Sequence, residues 1–400
     1  MKTVAFAWRY LWSRPLSGAL NLLLLSLGLA SITFLLLVSH QLSQAFERDL
    51  AGIDVVVGAK GSPMQLILSG VLHLDVPTGN VPLAAIKALE SHPQVAKIIP
   101  ISLGDSFRGF RIVGTTAGYI QHYKAGLAEG AMWTQPMQAV IGAQVARQTA
   151  MKVGDTFAGT HGLAGQGDVH GQTPYAVVGV LQSTGSVLDR LVLTATESVW
   201  KVHELDTALD AEDQKILEED REITLALIQY KTPLAAVTFP RFINTSTEMQ
   251  AAAPALEITR LLTMVGIGTD VVRALAGVLL LTAGLGVFVA LWSAVRERRA
   301  DLALLRMLGA PPRKIAGLLL CEALWLALLA TVLGLLAGQG LMALIAWLLQ
   351  LEKSVLIGGL VWPVELWAVP LLALIVAVMS SALPAWEAYR VSVFELLQSR

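Results

Sequence analysis

Long apolar runs and short alternating ones divide this chain into two kinds of territory. Residues 16–39 and 274–295 contain no charged side chain, and 315–349 contain one, Glu322. A fourth apolar run, 366–386, holds Pro370 and Pro384, which membrane helices tolerate where neighbours re-satisfy the freed backbone groups. A helix needs about 20 apolar residues to cross the hydrocarbon core, so these runs predict four spans. Between residue 40 and about residue 265 the texture changes. "VPLAAIKALESHPQV" has apolar residues at helical spacing and a stop at His92-Pro93. "AKIIPISL", "FRGFRIVGTT", "YAVVGVL", "RLVLTATE" and "ALIQYK" read as strands, and "QAVIGAQVARQTAMKVGDTF" as a strand, a short helix and a turn at Gly154-Asp155. Residues 197–222 are charged and mostly acidic, as a solvated surface segment would be. From Thr247 onward the pattern reads as a helix running without a break into the second span, a stalk.

The fold predicted is an α-helical membrane protein with four transmembrane helices and a large mixed α/β extracytoplasmic domain inserted between helices 1 and 2. Its parts are an interfacial helix at 1–15, the first span at 16–39, the outer domain and stalk at 40–265, and the stalk end with the second span at 266–295. A loop at 296–314, the third span at 315–349, a short outer loop at 350–365, the fourth span at 366–386 and a tail at 387–400 complete it.

Composition agrees with a lipid environment: 54% of residues are hydrophobic and 15% charged, where soluble domains are about a quarter charged. The net charge of −1 offers nucleic acid no general attraction. With Cys321 as the sole cysteine, no intramolecular disulfide can form. Charge also sets orientation. Lys2, Arg9 and Arg14 precede the first span, and the 296–314 loop sets Arg296, Arg298, Arg299, Arg306, Arg313 and Lys314 against Glu297 and Asp301. Basic residues stay inside, so both termini and this loop are expected in the cytoplasm of an inner-membrane protein, with 40–265 outside. The first apolar run exceeds the h-region of a signal peptide and is expected to be retained.

Candidate chemistry is sparse. "DVVVGAKGSPMQ", residues 54–65, resembles a strand entering a phosphate loop, but Gly58 and Gly61 around Lys60 do not give the G-x-x-x-x-G-K-[ST] spacing. A tight turn is expected. "HGLAGQGDVHGQ" places His161, Asp168 and His170 in one glycine-rich segment, a candidate zinc site by ligand type although it matches no closed zinc motif. Asp54, His73, Asp75 and Asp105 are scattered and read as ordinary surface or turn residues. The apolar segment 66–82 is expected to bury against its own domain. Gly334 and Gly338 form a G-x-x-x-G that permits close helix contact, here or with a second copy. No catalytic Ser-His-Asp, H-E-x-x-H or paired-carboxylate pattern stands out.

The most specific stretch is "RERRADLALLRMLGA", residues 296–310. It resembles, almost position by position, the loop R-R-x-E-[IL]-[AG]-[LI]-[LM]-[KR]-x-[LI]-G-A between the second and third spans of the FtsX/MacB-type ABC permease family (type VII ABC transporter membrane subunits). Asp301 stands where that family usually has glutamate. "PAWEAYRVSVFELLQSR" is similar to its carboxy-terminal motif, with Ser392-Val393 in place of a usual proline. The resemblance implies a permease without an ATPase site of its own, working with a cytoplasmic ABC ATPase dimer that binds ATP and Mg²⁺. It also implies a second permease subunit, identical or homologous, and contact with membrane lipid; an extracytoplasmic binding protein is a candidate partner. Glu297, Arg298, Arg299, Asp301, Leu302, Leu305, Arg306, Leu308 and Gly309 would form the ATPase-coupling surface. The work implied is mechanotransmission on a lipid, lipoprotein, peptide, drug or metal-linked substrate. A family branch that relays signals to an extracytoplasmic enzyme is the alternative.

Overall fold

The structure is a computed structural model that describes residues 7–9, 11, 15–162, 173–207, 221–297, 307, 310–351 and 361–390. Its described residues divide into two compact units, one of long helices and one built from 43–263. Helix α1, Pro15–Leu50, opens with proline at its first position, where no amide partner is lost. Its 36 residues would extend ~54 Å at ~1.5 Å each, beyond the ~30 Å of a hydrocarbon core. Its residues from Ser43 onward belong to the second unit.

That unit begins with β1 (Val55–Ala59), α2 (Pro63–Gly70), β2 (Val81–Pro82), α3 (Leu83–Glu90), β3 (Val95–Phe107), β4 (Phe110–Thr115) and α4 (Ala117–His122). It continues through β5 (Leu127–Gly130), β6 (Gln138–Ile141), α5 (Ala143–Thr149), β7 (Thr156–Phe157), β8 (Thr160–His161) and β9 (Tyr175–Leu181). A 3₁₀ turn at Val187–Arg190 leads to β10 (Leu191–Ala195), α6 (Thr196–Thr207), β11 (Glu222–Ile223), β12 (Leu225–Tyr230), α7 (Ala235–Ser246) and β13 (Met249–Ala252). The main sheet runs β13-β1-β12-β3-β4-β10-β6-β9-β5, with β7 on β9 and β8 on β3, while β2 and β11 form a separate ribbon. It is mixed: β4 lies parallel to β10 and β6 to β9, the other pairs being antiparallel.

Two cores form along this sheet. In one, Val55 and Val57 of β1 meet Ile86 and Leu89 of α3 and Phe239 and Ile243 of α7. In the other, Phe110 and Ile112 of β4 meet Val177 of β9 and the stacked rings of Phe157 and Tyr175. The 54–65 segment is a strand exit followed by a capped helix: Ser62 accepts from the Gln65 amide at 3.4 Å and Pro63 starts α2. A Cβ at Gly58 would stand 2.7 Å from Leu66 Cδ2, so a larger residue there would have to displace that side chain. Lys60 reaches Glu248 on the surface at 3.4 Å. Segment 66–82 buries Leu66, Ile67, Val71 and Leu72 in its own unit and leaves Leu74 and Val76 exposed.

The expected unbroken helix from Thr247 is corrected. Strand β13 intervenes, pairing Val56 with Ala252 and Gly58 with Gln250, because a partner strand decides the fate of so short and weakly patterned a segment. Helix α7 was hidden by Pro240 inside it, which as a sequence signal reads as a breaker.

Beyond it run α8 (Pro254–Glu297), α9 (Pro312–Leu351) and, after a 3₁₀ turn, α10 (Ala368–Arg390). With α1 they make, among the described residues, four helices long and apolar enough to cross a membrane. Helix α1 sits close to two of them. A Cβ on Gly28 would meet Leu280 Cδ2 at 3.0 Å, and one on Gly286 would meet the Asn21 side chain at 2.5 Å. Gly334 and Gly338 turn their bare faces to α1, where Cβ atoms would lie 2.7 Å from Leu29 and 2.6 Å from Thr33. The G-x-x-x-G is therefore a packing device within one chain.

Candidate functional site

Several of the polar side chains that the outer unit buries gather around the last turn of α1. The Val187 amide donates to Asp49 Oδ1 at 3.0 Å, and the Tyr123 hydroxyl donates to the Asp49 carbonyl at 2.7 Å. Arg190, in the 3₁₀ turn, is buried and donates to the Leu72 carbonyl. One residue on, His73 adopts the left-handed region (φ 53°) and pairs its Nε2 with the Tyr119 hydroxyl at 3.0 Å. Tyr119 and Tyr123 meet edge to face. The turn is itself pinned by Asp189, which accepts from the Ser183 hydroxyl, the Thr184 amide and hydroxyl, and the Gly185 amide at 2.7–3.0 Å.

Electrostatics follow from burial. Desolvation, reinforced by the Arg111 and Arg190 charges, holds His73 well below the usual imidazole range, so it is neutral. Burial lowers Arg111 to about 10 against the pull of Asp75, and lowers Arg190 against Asp49. Burial raises the Tyr119 and Tyr123 phenols, so they stay protonated donors. The cluster holds no nucleophile beside a base. What it does is fasten: it ties the end of α1, the 71–73 segment, α4 and the 183–190 turn into one body.

His73 and Asp105 are thus corrected from surface residues to buried ones. Asp49, Tyr119, Tyr123, Asp189 and Arg190 were missed, the available signal being the charged pair set among apolar residues at 189–190. His161, at the end of β8, is half exposed and pairs its Nδ1 with Asp105 Oδ1 at 3.0 Å. Asp168 and His170 lie outside the described residues. Of the residues expected to form a coupling surface, Glu297 ends α8, while Arg298, Arg299, Asp301, Leu302, Leu305, Arg306, Leu308 and Gly309 lie outside the described residues. On either side, Arg296 lies 5.6 Å from the Trp292 ring centroid and Pro312 opens α9.

Four apolar helices with a mixed α/β domain between the first and second define a class, multi-pass permease subunits with an inserted outer domain. The profile described as "MacB-like periplasmic core domain" matches residues 19–232, and "FtsX-like permease C-terminal" matches 273–393. The chain belongs to the FtsX/MacB-type ABC permease family. It is similar to a "Pyoverdine export ATP-binding/permease protein PvdT" of Pseudomonas fluorescens strain Pf0-1, 26% identical over 420 residues that cover 99% of this chain and 59% of the relative. A protein of the same description from Pseudomonas entomophila strain L48 is 25% identical over 84% of this chain and 52% of its own length. The chain thus spans little more than half the length of these relatives. Among solved structures, the periplasmic region of MacB from Actinobacillus actinomycetemcomitans is 10% identical over 53% of this chain and 95% of its own, at a TM-score of 0.34.

Proposed function

We propose that this chain is the membrane subunit of an ABC transporter in which ATP hydrolysis outside these 400 residues, on a partner ATPase dimer, drives movement of the 43–263 domain. The observation that carries this reading is the continuity of α1 and α8. Each bears a candidate span and extends as one helix into residues of the outer unit, α1 to Leu50 and α8 from Pro254. A continuous helix transmits displacement along its axis, and the Asp49 cluster gives α1 a fixed point on the domain. The substrate is one exported from the outer face; relatives are named for export of pyoverdine, and a lipid, lipoprotein, peptide, drug or metal-linked compound is within the class. The 296–314 segment faces the cytoplasm with both termini and meets the ATPase through Arg298, Arg299, Arg306 and the leucines between them. A second permease chain completes the assembly.

The test is affinity purification of the tagged chain from its native membrane, with mass spectrometry of what accompanies it. The expected result is an ABC ATPase recovered with the native chain and lost from an Arg298→Glu, Leu305→Asp variant that still folds. Absence of any ATPase from the native preparation would sink the proposal. A co-purified extracytoplasmic hydrolase, with no ATP-dependent flux, would turn the reading to signal relay.

A further inference from the structure

The second unit carries a cleft of about 430 Å³ away from the Asp49 cluster. Helix α3 lines it with one face, Ile86, Lys87 and Glu90 among them, and α6 lines it with Glu197 and, one turn on, Trp200. The Trp200 indole is fixed before any ligand arrives: its N–H donates to the Glu222 carbonyl at 2.7 Å, and the Arg221 guanidinium lies 4.8 Å from the ring centroid. The walls are tied as well, through the Leu83 amide donating to the Arg221 carbonyl at 2.9 Å. Preorganisation of this kind lowers the entropic cost of binding. Lys87, Glu90 and Glu197 are exposed and make no ion pair with a described residue.

We propose that this cleft binds a short peptide segment, one bulky apolar side chain seated against Trp200 and Ile86 and charged groups of both signs at the rim. The volume falls within the ~300–1,000 Å³ of ligand sites and suits a few residues rather than a folded domain. The mixed rim separates a peptide from an acyl chain. A hydrocarbon tail would crowd the charges of Lys87, Glu90, Glu197 and Arg221 while pairing none of them. A peptide segment brings opposite charges for Lys87 and for the two glutamates. Binding here stands apart from the transport reading and does not require ATP.

The experiment uses the full chain in lipid nanodiscs and fluorescence anisotropy of fluorescein-labelled tripeptide amides. Lys-Leu-Glu is expected to bind saturably, and Lys-Ser-Glu about tenfold more weakly. Trp200→Ala should weaken Lys-Leu-Glu by about tenfold or more, and Trp200→Phe should restore part of it. Lys87→Glu should shift preference from Lys-Leu-Glu to Lys-Leu-Lys, a reversal that misfolding cannot produce. No saturable binding, or binding indifferent to Trp200→Ala and Lys87→Glu in chains with unchanged thermal unfolding, overturns the proposal. Labelled decanoate binding in a Trp200-dependent way while the peptides do not would make the cleft a lipid site, which also overturns it.

Discussion

The close approach of α9 to α1 can be tested by filling the space the glycines leave. A Cβ at Gly334 would lie 2.7 Å from Leu29 Cβ and 3.2 Å from the Ala30 nitrogen; one at Gly338 would lie 2.6 Å from Thr33 Cβ and 3.0 Å from the Ala30 carbonyl. Carbon atoms prefer ~3.5–4.0 Å, so each alanine forces the helices apart by roughly 1 Å. Overpacking costs ~1–3 kcal/mol per site, and the helix preference of alanine over glycine returns ~1 kcal/mol per site. The Gly334→Ala, Gly338→Ala double variant should then lose about 2 kcal/mol, within a span of roughly 0–4. Gly340→Ala is the matched control, since nothing lies within 4 Å of its Cβ position; it should unfold no more easily than the native chain. Thermal and denaturant unfolding of both in detergent, followed by tryptophan fluorescence, gives the comparison. Equal behaviour of the double variant and the control would refute the packing argument. Unchanged unfolding with a dimer converted to monomer would show that the glycines face a second copy instead.

Other expectations follow from the outer unit and the stalk. Asp189→Ala strands four donors that the carboxylate now satisfies and should cost about 3 kcal/mol in urea unfolding; a loss below ~1 kcal/mol would mean water replaces the carboxylate. Because His73 titrates far below 6.5 when folded, the unfolded chain takes up the proton first and stability should fall as pH drops below about 6.5. His122, also lowered by burial, adds to the slope, and His73→Asn, which tolerates the left-handed backbone, should flatten it between pH 7.5 and pH 5. Gly266 and Gly268 stand in α8 with nothing near their Cβ positions, so alanine at both should stiffen the helix by ~1 kcal/mol each. Helical stability should rise and ATP-driven turnover fall; unchanged turnover would show that α8 does not bend there.

The spans were legible because twenty or more apolar residues in a row have few other uses, and the strands because alternation marks a sheet with two different faces. Helix α7 and strand β13 were not. The first carries its stripe, Ala235, Phe239 and Ile243, through a proline; the second is four residues long and exists only because β1 lies beside it. The 296–310 motif was read through likeness to a family, which names residues but not their contacts, and of the expected coupling residues only Glu297 lies within the described residues. The Asp49 cluster was illegible for a plainer reason. Its members sit at 49, 73, 119–123 and 189–190, and no local pattern reveals that a single turn of helix collects them.

Strands β1 and β13 are the first and last strands of the outer domain, and they are hydrogen-bonded neighbours. About two hundred residues therefore leave and return through one doorway, held shut by the Val56–Ala252 and Gly58–Gln250 pairs. A domain closed at its mouth is a cassette. It can be enlarged, pared down or exchanged for another with the same doorway, provided the replacement also supplies the Tyr123 and Val187 partners that hold Asp49 at the end of α1. Grafting 55–252 between the corresponding strands of another permease is then a matter of matching two short edges and one carboxylate at the end of the incoming helix.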